Sequence, residues 1–279
     1  MKITVWGCRG SLPSPGPEYN RFGGNTSCVE VEHNNTCIIL DGGSGIQRLG
    51  QYMKKDINEL HILLTHLHID HTMGLGFFLP LYNPNVKVHL WGPSSGDEPL
   101  LNRLRRYFSP PLFPVRLNEL PSHPIIHEMD ESQFNIGDVT IHSSFLCHPG
   151  PTLGFRVTCG RSSFAYMPDH EVALGSPNFP NEPEWTSGYA IAKDVDLLFH
   201  DAQYSSSEYK SKIGWGHSSM ADAIKFATLC KVKHLALFHH DPAHSDQKLQ
   251  GLLEDYMKNT ACNFKITLCE EGNSYHLPE

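Results

Sequence analysis

His66, His68, Asp70 and His71 fall within six consecutive positions of the stretch LLTHLHIDHTMG, residues 63–74. Imidazole nitrogens and a carboxylate are borderline-to-hard ligands, so the group suits zinc, manganese or iron. A bound cation would also remove the cost of burying an unpaired aspartate behind the apolar run Ile62-Leu63-Leu64. The segment must begin as a buried strand. Residues two apart in an extended chain share a face, so His66 and His68 point together. Gly74 and Gly76 then permit a sharp turn that swings Asp70 and His71 toward the same point.

Short apolar runs bounded by Gly, Pro, Asn or Asp predict the strands that carry such a group. They are Ile3–Trp6, Ser27–Val31, Cys37–Leu40, His61–Leu64, Val86–Leu90 and Val139–Phe145, then Gly154–Thr158, Ser163–Tyr166, Val195–Phe199, His234–Phe238 and Phe264–Leu268. Three- and four-residue apolar spacing predicts helices over Gly45–Lys54, Glu98–Phe108, Ser219–Cys230 and Ser245–Lys258. Strands with helices interspersed imply an α/β fold of two sheets covered by outer helices. Pro110–Pro124 and Gly175–Gly188 read as surface loops. With no linker or repeat to divide the chain, one domain is expected over 1–279.

A hydrophobic content of 39% with 10% aromatics supplies a core and argues against disorder. The net charge of −8 opposes general affinity for a nucleic-acid backbone. A small anionic ligand remains compatible, because a metal or local arginines reverse the field of a pocket. Eighteen histidines are an unusually large share of the chain. The eight cysteines form no C-x-x-C pair. Neither a signal-peptide run in MKITVWGCRG nor a membrane span is visible, so reduced, buried thiols in a cytoplasmic protein are expected.

The segment THLHIDH matches the H-x-H-x-D-H signature of the metallo-β-lactamase superfamily, and the chain resembles that family elsewhere. The resemblance implies an αββα four-layer sandwich. It also implies a third histidine at His148 in FLCHPG, a bridging aspartate at Asp169 in FAYMPDH and a last histidine at His239 in LALFHHD, with His240 as the alternative. Two divalent ions follow, zinc first, with manganese or iron as substitutes. His66, His68, His148 and Asp169 would hold one ion; Asp70, His71, His239 and Asp169 would hold the other. His170 and Asp41 are expected as neighbours of the ligands.

Such a metal pair serves hydrolysis in general. The segments Leu198-Phe199-His200-Asp201-Ala202 and Gly214-Trp215-Gly216-His217-Ser218-Ser219 resemble the H-E-A and H-S-T motifs of the family's phosphodiesterase branch, which includes tRNase Z. The resemblance implies attack on phosphorus by a metal-bridging hydroxide. His217, oriented by Asp201, would then protonate the leaving alkoxide, which departs poorly without a proton. Asp70, Asp201 and His217 form the expected catalytic set. A plainer reading has His217 and Ser218 merely opening a helix capped by Ser218 or Ser219.

The turn-rich segments Trp6–Ser11 and Arg21–Ser27 resemble those of small cyclic-nucleotide phosphodiesterases of this fold. That suggests a 3′,5′-cyclic nucleotide as substrate and Arg9, Arg21 and Asn25 as phosphate-side contacts. Equally, Asn25 and the glycines could shape turns while the arginines are structural. A tRNase Z-like endoribonuclease is disfavoured, since that family carries a basic arm between its third histidine and bridging aspartate. A glyoxalase II-like thioesterase and a non-catalytic sensor would use the same scaffold. Related proteins are often dimers, so a homodimer is compatible, although composition identifies no interface.

Overall fold

The computed structural model describes residues 1–279 except 55–56, 173, 175, 177–178, 181, 259, 261 and 279, and the backbone alone at 184. The first sheet holds β1 (Lys2–Gly7), β2 (Cys28–His33), β3 (Thr36–Leu40), β4 (Glu59–Leu63), β5 (Lys87–Pro93) and β6 (Ile125–Met129). The second holds β7 (Ser132–Ile136), β8 (Val139–Phe145), β9 (Leu153–Cys159), β10 (Ser162–Met167), β11 (Leu197–Asp201), β12 (His234–Phe238) and β13 (Lys265–Leu268). A last strand, β14 (Ser274–His276), returns antiparallel to β1 and completes the first sheet. From β3 to β6 and from β10 to β13 neighbouring strands run parallel.

The helices are α1 (Gly45–Tyr52), α2 (Ile69–Thr72), α3 (Leu100–Tyr107), α4 (Tyr189–Ala192), α5 (Ser206–Tyr209), α6 (Met220–Leu229) and α7 (Asp246–Lys258). Side-chain alternation assigns each strand two faces. Val29, Val31, Ile38 and Leu40 meet Phe155, Val157, Phe164 and Phe199 between the sheets. Ile39 and Ile62 instead face Ile46 and Leu49 of α1 and Leu100 and Leu104 of α3. Ala165, Leu198 and Leu235 face α4, α6 and α7 through Ile191, Phe226 and Leu249. Strands buried on both faces need helices on the outside of each sheet. The result is the four-layer αββα sandwich.

Each predicted strand and long helix is present, with ends shifted by a few residues. β6, β7 and β14 escape the apolar pattern because they are largely exposed or half-buried; β7, SQFNI, buries only Ile136. Pro110–Pro124 is not a free surface loop, since Phe113, Leu117 and Leu120 insert into the outer core of the first sheet. Part of Gly175–Gly188 lies outside the described residues; within it, Thr186 is buried and Ser187 bonds to the backbone of Cys147. All eight cysteines are free, six of them buried. No described helix is long and apolar enough to cross a membrane.

Candidate metal centre

The expected donors gather just beyond the carboxyl ends of strands, where open α/β sheets place their ligands. His66 and His68 follow β4, His148 follows β8, Asp169 follows β10 and His239 follows β12, while Asp201 ends β11. The turn that brings in Asp70 and His71 is helical, not a reversal at Gly74 and Gly76. His68 is still extended, at φ −62° and ψ 153°, and α2 begins at the next residue. One helical turn then carries Asp70 and His71 back onto the cleft.

Three nitrogens converge on one side. His68 Nδ1 lies 2.9 Å from His66 Nε2 and 3.1 Å from His148 Nε2. Donors around a tetrahedral ion with bonds of about 2 Å stand roughly 3.3 Å apart. The ring planes of His66 and His68 cross at 81°, and those of His66 and His148 at 64°, so in-plane lone pairs can meet. On the other side, Asp70 Oδ2 lies 3.3 Å from His71 Nε2 and 3.2 Å from His239 Nε2. Asp169 faces both groups, with Oδ2 3.0 Å from His71 Nε2 and Oδ1 3.8 Å from both His66 and His148 Nε2.

Hydrogen bonds on the far sides of the rings assign the protons. Thr65 Oγ1 donates to Asp41, 3.0 Å away, and accepts from His66 Nδ1 at 3.0 Å. His148 Nδ1 donates to the Gly216 carbonyl at 2.8 Å, His71 Nδ1 to Asp41 Oδ2 at 2.8 Å, and His239 Nδ1 to Gln203 Oε1 at 3.1 Å. In each neutral ring the Nε2 lone pair is therefore bare and aimed into the cleft. Buried His71 Nε2 and Asp169 Oδ2, although 3.0 Å apart, have no hydrogen-bond partner among the described residues. Orphaned buried atoms of this kind call for a missing partner. The donor set fits divalent cations.

The electrostatics agree. Burial alone would lower His71, but Asp169, Asp70 and Asp41 push it well above its ordinary value. Burial works to raise Asp70 and Asp169, yet the surrounding histidines hold both carboxyls below the usual carboxylate range. No Lys or Arg forms an ion pair with Asp41, Asp70 or Asp169 among the described residues. The positive charge this place demands has to come from protons or from a metal.

His217 adjoins the centre. Its Nδ1 donates to the wholly buried Asp201 Oδ2 at 2.7 Å and lies 3.8 Å from Asp169 Oδ1. Burial opposes its charge, but Asp201, and after it Asp169 and Asp70, push it up to about 9. Asp201 is fixed in turn by the backbone amides of His170, Gln203 and Ser218. The helix-cap role falls to Ser219, whose Oγ accepts the Asp222 amide of α6 at 3.1 Å, so capping and the His217–Asp201 pair coexist. His240 turns away and donates from Nε2 to the Cys269 carbonyl at 3.0 Å. His170 bonds to His200 and Ser187 rather than joining the donors.

The expected phosphate-side residues are committed elsewhere. Arg9 is wholly buried, donating to the carbonyls of Gly23, Asp241 and His244 and pairing with Asp246 at 3.4 Å. A guanidinium carries five N–H donors, and here three backbone carbonyls and the Asp246 carboxylate take four of them. Both ends of the Asn25 amide are in use, by Glu271 and Ser44. Arg21 lies over the Phe22 ring and lines a surface hollow with His234, Lys265 and Tyr275, without any of the metal donors. The amino-terminal segment does reach the centre, through residues that sequence reasoning passed over. Ser11 donates its amide to Asp70 Oδ2 at 2.8 Å, and its hydroxyl accepts from Gln203, which orients His239. Gly10 packs under His239, where a Cβ would come within 2.4 Å of the ring.

A second set of metal-capable side chains, Glu59, His61 and His89, lies on the neighbouring strands β4 and β5. There His61 and His89 stack at 4.4 Å, 12° from parallel. In-plane lone pairs of rings stacked this way run side by side instead of meeting at an ion about 2 Å from each. Three of their four nitrogens are also engaged: Trp91 Nε1 donates to His61 Nδ1, and His89 bridges Glu59 and His127.

Fold and site together define a metal-dependent hydrolase scaffold, and the comparisons give its family. The chain belongs to the beta-lactamase superfamily: the family model described as Beta-lactamase superfamily domain matches residues 38–240. It is a metal-dependent hydrolase of the metallo-β-lactamase fold, resembling tRNase Z and phosphodiesterases. A Ribonuclease Z of Thermococcus gammatolerans is 25% identical over 87% of each chain. Among solved structures, the metallo-beta-lactamase fold protein YhfI of Bacillus subtilis superposes with a TM-score of 0.73, at 15% identity over 98% of both chains. Human tRNase Z, short form, gives 0.66 at 21% identity over 100% of both, and unliganded yeast PDE1 gives 0.66 at 15% over 99% of both.

Proposed function

We propose that residues 1–279 act as one hydrolase domain that cleaves small phosphodiesters, a 3′,5′-cyclic nucleotide first among them. The observation that carries the reading is the Asp201–His217 pair, bonded at 2.7 Å beside the donor cluster. With Nδ1 committed to Asp201, His217 has only Nε2 to offer, and an imidazole fixed in that way is suited to protonate a leaving alkoxide. His66, His68, His148 and Asp169 would hold one divalent ion, and Asp70, His71, His239 and Asp169 a second, with zinc the first choice before manganese or iron. When bound, the ions supply electrophilic activation of phosphate and water. The chain's own residues do the rest. Asp201 holds the His217 tautomer, Gln203 and Asp41 hold the rings of His239 and His71, and Ser11 holds Asp70.

The hairpin β9–β10 supports a small substrate, because it links His148 to Asp169 directly and leaves no room in sequence for a basic arm. A second reading, cleavage of structured RNA, is favoured by the Ribonuclease Z relatives. One screen separates them. Zinc- or manganese-loaded protein is offered cyclic nucleotides, linear dinucleotides, a precursor tRNA, a thioester and bis(p-nitrophenyl) phosphate. His217→Ala should slow a cyclic nucleotide by about 10²–10⁴-fold and the nitrophenyl ester far less, because nitrophenolate leaves without a proton. Equal losses on both would sink the general-acid role. Cleavage confined to the precursor tRNA would sink the small-substrate reading.

A further inference from the structure

Glu171 is 1% exposed, and no Lys or Arg pairs with it among the described residues. Its carboxylate is instead saturated by neutral donors. Gly214 N lies 2.9 and 3.0 Å from its two oxygens, Gly216 N lies 2.8 Å from Oε2, and the Tyr209 hydroxyl donates to Oε1 at 2.8 Å. The Glu171 amide donates to the Cys147 carbonyl at 2.9 Å, next to His148. One side chain thus clasps the amides on both sides of Trp215 and ties them to the segment that carries Asp169.

What that turn controls gives the clasp its meaning. The Gly216 carbonyl is the acceptor that fixes the His148 ring, at 2.8 Å from Nδ1. The same peptide unit leads directly into His217. Gly216 stands at φ +88°, and a Cβ there would lie 2.2 Å from His148 Nδ1, so the ring rests directly on this backbone. Rotating the peptide between residues 216 and 217 would tilt a metal donor and the proton donor together.

We propose that Glu171 is a positioning residue that sets His148 and His217 at once, through the Gly214–Gly216 turn. The proposal rests on the donor and proton-donor roles assigned above, but its first two readouts do not depend on activity. In Glu171→Gln an amide NH₂ is placed against backbone N–H groups, leaving buried donors unmatched. Amide exchange at Gly214 and Gly216 in the metal-free protein should speed up at least tenfold. Zinc affinity, read by competition with a chromophoric chelator, should fall about 10–100-fold, the usual effect of losing a partner that orients a ligand. Hydrolysis of a cyclic nucleotide should fall more than that of bis(p-nitrophenyl) phosphate, since His217 is displaced as well.

Glu171→Asp keeps the charge and should recover part of each loss. Tyr209→Phe removes one donor without touching the turn and should leave zinc affinity within about twofold. If Glu171→Gln fails to fold, Glu171→Asp carries the same three measurements. Wild-type zinc affinity with unchanged exchange at both glycines overturns the proposal, as does an equal loss on both substrates with zinc affinity intact. If wild-type protein cleaves no diester, the assigned function fails, while exchange and zinc affinity still decide the role of Glu171.

Discussion

His66, His68 and His148 meet with their ring planes at 81°, 64° and 63°, whereas His61 and His89, only a few residues away in sequence or one strand over, stack at 12°. Both groups depend on β4. His61 lies inside the strand, held in register against His89 of β5, and neighbours in a ladder project in parallel. His66 and His68 lie past the end of the strand, where the backbone is free to aim them at a common point. The contrast teaches that histidine clustering alone does not make a metal site. What counts is release from the ladder, together with a partner behind the rings of His66, His71, His148 and His239 that leaves the inward nitrogen bare.

The comparison breaks most directly by mutation. His68→Ala should lower hydrolysis of bis(p-nitrophenyl) phosphate by divalent-loaded protein at least a thousandfold, while His89→Ala should stay within about twofold. Comparable losses would put the His61–His89 cluster in the chemistry. Next in size is metal removal. Ligand present at a thousandfold excess over its Kd stabilises a fold by about 4 kcal/mol. Chelation should therefore lower Tm on the order of 10 °C, read by differential scanning calorimetry. The same shift is expected in His89→Ala and a much smaller one in His68→Ala.

Stoichiometry sharpens the distinction further. Wild type and a His61→Ala/His89→Ala double variant should each retain two zinc ions per chain after desalting, measured by atomic emission. A third ion lost only in the double variant would contradict the stacked-ring argument. The smallest effect is a pH effect. Burial, then the neighbouring His89, pushes His61 down to about 4. The unfolded chain therefore binds the proton first, and stability present above pH 6.5 declines as pH falls toward 4. His61→Gln should flatten that decline by a small but measurable amount in urea titrations at pH 7, 5.5 and 4.5.

The candidate donors that the structure brings together were readable because four of them fall within six positions and the others each follow an apolar run, so strand ends pointed to them before any geometry was known. The two-sheet architecture was readable for the same reason: strands such as FAYM in β10 are buried throughout. Other features lay outside the reach of local pattern. The helical turn α2 is four residues long, too short to show a period. The burial of Arg9 depends on His244, 235 residues away, so an arginine that looked available for phosphate was a structural tie. Glu171 offered no spacing signal, because its partners are backbone amides at Gly214 and Gly216. Ser11 and Gln203 act on the centre through one hydrogen bond each, which residue type alone does not advertise.

The contact of residues 9–11 with residues 239–246 also orders events on the ribosome. The trio around His68 is complete once His148 has emerged, and Asp169 follows soon after. The partner group waits for His239, and the Arg9 tie to Asp246 waits longer still. The first sheet gains β14 after its other six strands have been made, because β14 follows all of them in sequence and pairs with β1. Six of the seven candidate donors are therefore made some seventy residues, the stretch from Asp169 to His239, before the last one.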